Sequence, residues 1–284
     1  GERVLAASCV RMPAPGMVVK TASERAKKSR EMVFELLLAD QPAREGHRDP
    51  DSSFWKWVDA MGVEASRYPA GHAPAADVSH PAIAVNLDAC ISCGLCVRAC
   101  REVQVNDVIG MAGRGHAMKP VFDINDPMGD STCVACGECV QACPTGALFE
   151  KSLMDAEAKT RTVWADKVVN SVCPYCGVGC QTKVAVKDDR IVQVDGRDGP
   201  SNENRLCVKG RFGFDYVRHP QRLTKPLIRR EGVAKSLDNL PDPANPWTHF
   251  REATWEEALE KAASGLAATR DTHGPHALAG FGSA

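Results

Sequence analysis

Hydrophobic residues recur every three or four positions in three stretches of the chain, which is the spacing of one face of an α-helix. The first stretch spans residues 22–39, and the last runs from Thr254 to about Arg270. Thr21 and Thr254 are each followed three residues later by glutamate, as in a capping box, which predicts that both stretches are helices. The remaining stretch, residues 53–61, is a short amphipathic segment, and we expect its tryptophans to pack onto an adjacent domain.

Alternating apolar and polar residues predict strands elsewhere. Residues 182–186 and 191–194 alternate on either side of a Lys-Asp-Asp-Arg turn and are typical of a β-hairpin. Residues 103–109 and 121–124 form a second candidate pair, around the turn at 113–115. The apolar segment 277–281 follows the last predicted helix and is expected to be a strand at the start of an α/β unit. Together these elements predict an α+β fold.

The composition narrows the class of protein. The 284 residues include 35 basic and 36 acidic ones, for a net charge of -1, which excludes the basic surface expected of a protein that binds nucleic acid or an acidic membrane. The longest apolar run, residues 32–39, contains Glu35 and is too short to span a bilayer, and no signal peptide is visible. Thirteen cysteines without a secretory signal indicate reduced thiolates that bind metal in the cytoplasm.

The length suits about two domains. The first residue is Gly1 and not methionine, and the last residues look like a strand running into a loop. We therefore expect both ends to continue into a longer chain.

Two short cysteine runs organise the chain between residues 90 and 144. Each has the spacing C-x2-C-x2-C-x3-C, and Pro144 follows the second run where Arg101 follows the first. This is the pattern that holds two 4Fe-4S cubane clusters, in which the fourth cysteine of each run serves the other cluster. We therefore assign one cluster to Cys90, Cys93, Cys96 and Cys143, and the other to Cys133, Cys136, Cys139 and Cys100.

Zinc and disulfides are the competing interpretations of these two runs. Zinc matches less well, because one tetrahedral ion bound by two cysteine pairs leaves the third cysteine of each run without a role. A disulfide framework is disfavoured because nothing in the sequence indicates secretion.

A third cysteine set follows at residues 173–207. Its spacing is C-x2-C-x3-C-x26-C, and the predicted hairpin at 182–194 would bring the last cysteine back toward the other three. A third cubane is favoured over a four-cysteine zinc site, especially beside the ferredoxin pair. The four candidate ligands are Cys173, Cys176, Cys180 and Cys207.

With these residues in view, the chain resembles, over almost its whole length, the large (alpha) subunit of the molybdenum- or tungsten-dependent, NAD-linked formate dehydrogenases. The most specific matches are the double cysteine run, the third set followed by C-V-K-G-R-F-G, and the helical stretch S-E-R-A-K-K-S-R-E-M-V-F-E-L-L-L-A-D. The resemblance implies a bacterial-type ferredoxin domain with two 4Fe-4S clusters, a small β-rich 4Fe-4S domain and the start of an α/β molybdopterin-binding domain. Their expected bounds are 81–155, 166–225 and 226–284, after the end of a 2Fe-2S domain at 1–20 and a helix with connector at 21–80.

The same resemblance implies the cofactors and partners. The third cysteine set would hold the cluster nearest a bis(molybdopterin guanine dinucleotide) cofactor that carries molybdenum or tungsten, and Lys209 would lie between that cluster and a pterin. Cys9, which alone is most simply a small buried residue, would be the last ligand of a 2Fe-2S cluster whose other ligands precede Gly1. Formate oxidation or CO2 reduction would use residues beyond Ala284, and electrons would reach FMN and NAD on a flavin/NAD-binding beta subunit.

One segment departs from the pattern of related large subunits. Residues 41–80 contain no cysteine, whereas relatives that include the respiratory NADH dehydrogenases carry a cluster site of one histidine and three cysteines there. The three histidines of this segment are therefore expected to be surface or capping residues, namely His47, His72 and His80.

Two other functions compete with a formate dehydrogenase. One is the iron-sulfur electron-transfer subunit of an NAD-reducing hydrogenase or NADH dehydrogenase, which would not account for the Val208-Lys209-Gly210-Arg211 segment. The other is a zinc-binding interaction module, which an iron analysis would exclude.

Overall fold

The computed structural model describes residues 4–71, 73–157 and 159–280. It divides into two compact units, each of which is described by itself below. The first consists of Gly1–Cys173 with Cys180–Phe212, and the second of Pro174–Gly179 with Gly213–Ala284. None of the helices among the described residues combines the length and the apolar character that crossing a bilayer requires.

Two helices begin the first unit. Helix α1 spans Glu24–Ala39, and its cap is Ser23, whose hydroxyl accepts a hydrogen bond from the backbone of Ala26. The sequence pattern placed the cap at Thr21, so the predicted start was two residues too early. Helix α2 spans Ser53–Met61 and ends at a left-handed glycine, Gly62.

The aromatic side chains of α2 lie in a small core with α1. Phe54, Trp55 and Val58 are buried there against Phe34 and Leu37, whereas Trp57 is exposed. The backbone of Phe54 also donates a hydrogen bond to the carbonyl of Pro144, at 3.0 Å. Of the two tryptophans, Trp55 is thus buried beside α1 and Trp57 is exposed, and the bond to Pro144 that joins this segment to the cysteine region comes from the backbone of Phe54.

Two antiparallel strand pairs frame the cysteine runs. Strand β1 (Ile83–Val85) pairs with β4 (Leu148–Glu150), so that the chain before the first run meets the chain after the second. Strand β2 (Ile109–Ala112) pairs with β3 (Lys119–Phe122) between the runs. The predicted hairpin at 103–109 and 121–124 was wrong in its first strand, because Ala99–Val103 form a π-helical turn and β2 begins only at Ile109.

Two short helices lie within the cysteine runs, and each contains one cysteine. A third short helix follows Cys207. Helix α3 spans Leu95–Arg98, α4 spans Glu138–Ala142 and α5 spans Val208–Phe212. The main core around them contains apolar side chains from all four strands together with the thiols of Cys100 and Cys139. The buried sulfurs are thus part of the packing of this unit.

A three-stranded antiparallel sheet completes the first unit. Strands β6 (Gln181–Lys187) and β7 (Arg190–Gly196) form the predicted hairpin. Strand β5 (Lys167–Val172) pairs with β6 at the edge of the sheet and was not predicted. Both faces of β5 are exposed, so its sequence lacks the alternation that indicates a half-buried strand.

Two histidines lie inside the first unit and not on its surface. His47 and His80 are both buried, so of the two expected roles, surface or capping, only capping is found for them. Each acts locally as a cap, since the Nδ1 atom of His47 accepts from the backbone of Asp49 and that of His80 accepts from the backbone of Ile83. The third, His72, lies outside the described residues.

The second unit contains a short hairpin and a long helix. Strands β8 (Leu227–Arg229) and β9 (Phe250–Glu252) are antiparallel. Helix α6 spans Trp255–His273, and the hydroxyl of Thr254 accepts from the backbone of Glu257, as the capping-box pattern predicted. The predicted strand at 277–281 is not found in its described part, where Pro275–Ala277 form a 3-10 turn, and residues 281–284 lie outside the described residues.

Candidate metal centres

Four thiols line one apolar cavity of the first unit. The cysteines come from the first run and from the end of the second: Cys90, Cys93, Cys96 and Cys143. Apolar side chains complete the wall, among them Leu87, Ile91, Pro120 and Leu148. The fourth cysteine of the second run therefore lies with the first three cysteines of the first run.

Four other thiols line a second apolar cavity. These come from the second run and from the end of the first: Cys100, Cys133, Cys136 and Cys139. The remaining wall includes Val108, Ile109, Phe122 and Met128. The exchange of the fourth cysteine between runs thus occurs in both directions.

The structure brings the eight thiols into the two groups of four that the spacing predicted. All thirteen cysteines of the chain are free. Across the described ranges, no three His, Cys, Asp or Glu side chains converge as they would around a single metal ion. Four thiolates around an apolar cavity are the donor set of a 4Fe-4S cluster, so the residues present fit two such clusters. Iron binding by these cysteines stays a prediction.

The loop that carries the first three cysteines has the same backbone shape in both runs. Ser92 and Ala135 occupy equivalent positions before the second cysteine and are left-handed, with φ of 51° and 55°. Gly94 and Gly137 follow the second cysteine, and both have φ of 72°. Each left-handed pair turns the chain tightly, and α3 and α4 then begin with the third cysteine in their first turn.

Backbone amides point at several of the sulfurs. The N–H donors and their sulfur acceptors, with N to Sγ distances, are Ser92 to Cys90 (3.4 Å), Ala135 to Cys133 (3.4 Å) and Val108 to Cys100 (3.3 Å). Hydrogen bonds to cluster sulfurs are among the features that set a cluster's reduction potential. Both cavities have the amide that precedes the second cysteine as a donor, and the donor Val108 belongs to the second cavity.

Burial makes the unligated thiols poor acids. It raises the pKa of Cys90 and of Cys93, and it raises the pKa of Cys96 to about 12, an effect to which neighbouring sulfurs add. In the second cavity burial likewise raises the pKa of Cys139, which lies well above its usual range. Because cysteine ligands bind metal as thiolates, metal binding at these sites would release protons.

The third cysteine set is anchored to the three-stranded sheet. The backbone N–H of Cys173 donates to the carbonyl of Cys180 at 2.8 Å, directly beyond the ends of β5 and β6. Helix α5 starts after Cys207 and lies close to Cys173, since a Cβ at Gly210 would be 3.6 Å from its Sγ atom. Cys176 belongs to the second unit, and joint ligation by all four cysteines stays a prediction.

Arg211, on α5, reaches from the third cysteine set to the second cavity. Its side chain is fully buried, and its Nε atom donates to the carbonyl of Cys136 at 2.8 Å. The other two guanidinium nitrogens donate to Asp195 and to Gln141, both at 2.9 Å. Its own backbone N–H donates to the carbonyl of Cys207 at 3.1 Å.

Two carboxyls near this arginine have raised pKa values, the half-buried Asp195 and the buried Glu150. Burial raises the pKa of Asp195, and the charge of Arg211 opposes that rise. Burial raises the pKa of Glu150 to about 8, and the neighbouring charge of Asp195 adds to the effect. Glu150 is therefore mostly protonated at neutral pH.

The sequence patterns did not single out this buried group of charges. Arg211 stands in the segment after Cys207, and its acidic partners Glu138 and Asp195 lie far away in the sequence, on α4 and β7. The one available signal was an arginine immediately after a cluster motif. The structure leaves Lys209 and Cys9 exposed.

Comparison with protein families identifies the class of both regions. Residues 89–147 match the 4Fe-4S dicluster domain, and residues 166–219 match the Molybdopterin oxidoreductase Fe4S4 domain. The chain therefore contains iron-sulfur domains of the molybdopterin oxidoreductase type, in a mixed helix and sheet fold.

Similar proteins point to one group of oxidoreductases. The chain is 30% identical, over 95% of its length, to "Putative formate dehydrogenase YrhE" of Bacillus subtilis (strain 168), of which it spans 30%. It is 29% identical, over 82% of its length, to "Putative formate dehydrogenase SAUSA300_2258" of Staphylococcus aureus (strain USA300), of which it spans 26%. The chain thus spans less than a third of the length of these relatives.

A solved structure is also similar over part of the chain. This is a chain of an NAD+-reducing [NiFe]-hydrogenase in the H2-reduced state, at 29% identity. The match covers 51% of this chain and 64% of that one, with a TM-score of 0.48.

Proposed function

We propose that the chain is the electron-relay portion of a formate dehydrogenase that carries molybdenum or tungsten on a bis-molybdopterin cofactor. The observation that carries the proposal is the combination of two thiol-lined cavities with a third cysteine set whose region matches the Molybdopterin oxidoreductase Fe4S4 domain. The similarity to formate dehydrogenases named above supports the choice of substrate.

The protein itself holds, orients and shields the sites. Each cluster, when bound, supplies reversible one-electron chemistry. The left-handed turns at Ser92 and Ala135 present the cysteines of each loop, and their amides donate to sulfur. The apolar walls of both cavities limit contact with water, which affects cluster potential.

Partners are part of the proposal. Electrons from formate would leave this chain toward a subunit that binds FMN and NAD, and Cys9 would help to hold a 2Fe-2S cluster on that side. The exposed position of Cys9 is compatible with such a cluster.

Metal analysis tests the relay role. An anaerobically purified chain should contain about twelve iron atoms and twelve acid-labile sulfides in three 4Fe-4S clusters, with paramagnetic signals after dithionite reduction. Stoichiometric zinc in place of iron would contradict the proposal. In the intact enzyme, clusters that accept electrons from hydrogen or NADH but not from formate, with no molybdenum or tungsten, would instead identify the hydrogenase or NADH dehydrogenase class.

The substitution Lys209→Ala tests the proposed link to the pterin. Because Lys209 is exposed on α5 beside Cys207, its loss should leave all clusters assembled. In the intact enzyme we expect formate-driven cluster reduction to slow by at least about tenfold, measured by stopped-flow absorbance. Lys235→Ala, an exposed lysine outside the cysteine sets, is the matched control. Equal rates of cluster reduction in the two variants would show that Lys209 has no part in electron transfer.

A further inference from the structure

A buried arginine, Arg211, lies against the cysteine loop of the second cavity. Among the described residues, no side chain lies at the equivalent position of the first loop, Gly94. Arg211 is fully buried and hydrogen-bonds to the carbonyl of Cys136, the middle cysteine of the loop that lines this cavity. The partner residues come from distant parts of the first unit: Gln141 and Glu138 on α4 and Asp195 on β7. Moving a guanidinium out of water is costly, so its burial requires this full set of partners.

The backbone of the cysteine loop is shaped to admit the arginine. A Cβ at Gly137 would lie 2.1 Å from the Cδ atom of Arg211, closer than any side chain allows. At the equivalent Gly94 of the first run, nothing lies within 4 Å of such a Cβ. The two loops are otherwise alike in backbone conformation, so the close approach distinguishes the second loop from the first.

We propose that Arg211 is a positioning residue that raises the reduction potential of the cluster bound by Cys100, Cys133, Cys136 and Cys139, and that anchors its ligand loop to the helix after Cys207. The inference rests on the proposed relay function for the identity of the bound group. Reduction adds one negative charge to a cluster, and a buried positive charge nearby stabilises that charge because the local dielectric is low.

The acidic partners limit this effect. Asp195 bonds to the guanidinium through Nη1 and Glu138 lies 3.5 Å from Nη2, whereas the Nε side faces the carbonyl of Cys136. The positive end of the ion pair is therefore directed at the ligand loop. The loop and α5 are also tied together, because the backbone of Arg211 bonds to Cys207 while its side chain bonds to Cys136.

A redox titration with dithionite, monitored by paramagnetic resonance, tests the proposal in the complete chain. Arg211→Gln removes the charge but keeps an amide that can donate to the Cys136 carbonyl. At a fixed solution potential we expect the ratio of reduced to oxidised second cluster to fall on the order of tenfold. For a one-electron couple that change corresponds to ~59 mV. The affected signal is identified as the one that Cys136→Ser alters.

Three further variants separate charge from structure. Arg211→Lys keeps the charge, so its ratio of reduced to oxidised second cluster should stay within about threefold of the wild-type ratio. Arg205→Gln removes a charge two residues before Cys207, but at an exposed site where water screens it, and should have no effect. The double variant Arg211→Gln with Asp195→Asn removes both charges of the shortest ion pair and should fold where the single variant fails, with a smaller shift in the same direction.

The outcomes distinguish this inference from the relay function. Full iron content with unchanged ratios in the Gln and double variants overturns the role of Arg211 and leaves the relay function intact. A Lys variant that shifts as far as the Gln variant also overturns it, because charge would then not be the cause. A wild-type chain without iron overturns both, and clusters that formate does not reduce in the intact enzyme overturn the substrate alone.

Discussion

Burial keeps the side chain of Glu150 protonated near neutral pH. Its side chain is almost fully enclosed at the end of β4. Burial raises its pKa from 4.5 to about 8. The unfolded chain loses this proton near pH 4.5, whereas the folded chain keeps it until about pH 8.

Ionisation of Glu150 should therefore lower the free energy of unfolding as the pH rises from about 4.5 to about 8. The contribution is fully present below the unfolded pKa and is lost as pH passes the folded pKa. Glu150→Gln should remove this pH dependence. The free energy of unfolding of the variant, relative to that of the wild type, should therefore increase by about a few kcal/mol from pH 5 to pH 8. Urea unfolding of the iron-loaded protein at several pH values measures this.

A matched substitution checks that the slope belongs to the buried carboxyl. Glu64→Gln changes an exposed glutamate and should leave the pH dependence as in wild type. If the wild type and Glu150→Gln lose stability in parallel over this range, Glu150 does not ionise as its burial requires.

At the scale of elements, the two cysteine loops are near copies with different neighbours. Gly94 caps α3 and Gly137 caps α4, with the same left-handed conformation. Any side chain at either position strains the backbone by ~1–2 kcal/mol. Only at Gly137 would the added carbon also collide with Arg211.

The pair Gly94→Ala and Gly137→Ala should therefore differ in cost. We expect about 1 kcal/mol of destabilisation for Gly94→Ala from backbone strain alone. Gly137→Ala should cost ~1–3 kcal/mol more, because the buried arginine must move. Chemical denaturation of the iron-loaded proteins gives both values, and equal costs would mean that Arg211 does not pack against this loop.

At the scale of the whole molecule, the two units differ in how much they bury. The first unit contains the three clusters of buried apolar residues, and cysteine sulfurs belong to the largest of these. In the second unit only Ile228 and His249 are buried among the described residues. Local opening free energy follows burial, so the second unit should open more readily.

Limited proteolysis should reveal this difference and its dependence on metal. With iron bound, we expect first cuts in the exposed, turn-rich segment 230–246, while residues 81–155 resist. Removal of iron by a chelator should speed cleavage within 81–155 by at least about tenfold and leave cleavage at 230–246 nearly unchanged. Mass spectrometry of the fragments measures both. Protection of 81–155 that survives complete iron loss would show that packing alone holds this region.

The sequence by itself determined the features that depend on neighbouring residues. Spacing of cysteines specified two groups of four thiols, and the capping box at Thr254 marked the start of α6 correctly. Alternation specified the β6–β7 hairpin. These features follow from local backbone geometry and short-range hydrogen bonds, which a few consecutive residues dictate.

Only the tertiary structure decided which distant residues meet. Edge strand β5 and the closure of β1 on β4 left no periodic signal, because their pairing depends on partners far along the chain. The contact between Arg211 and the Cys136 loop joins residues 75 positions apart. No local pattern encodes such a contact, since the burial of a charge is favourable only when packing supplies all its partners at once.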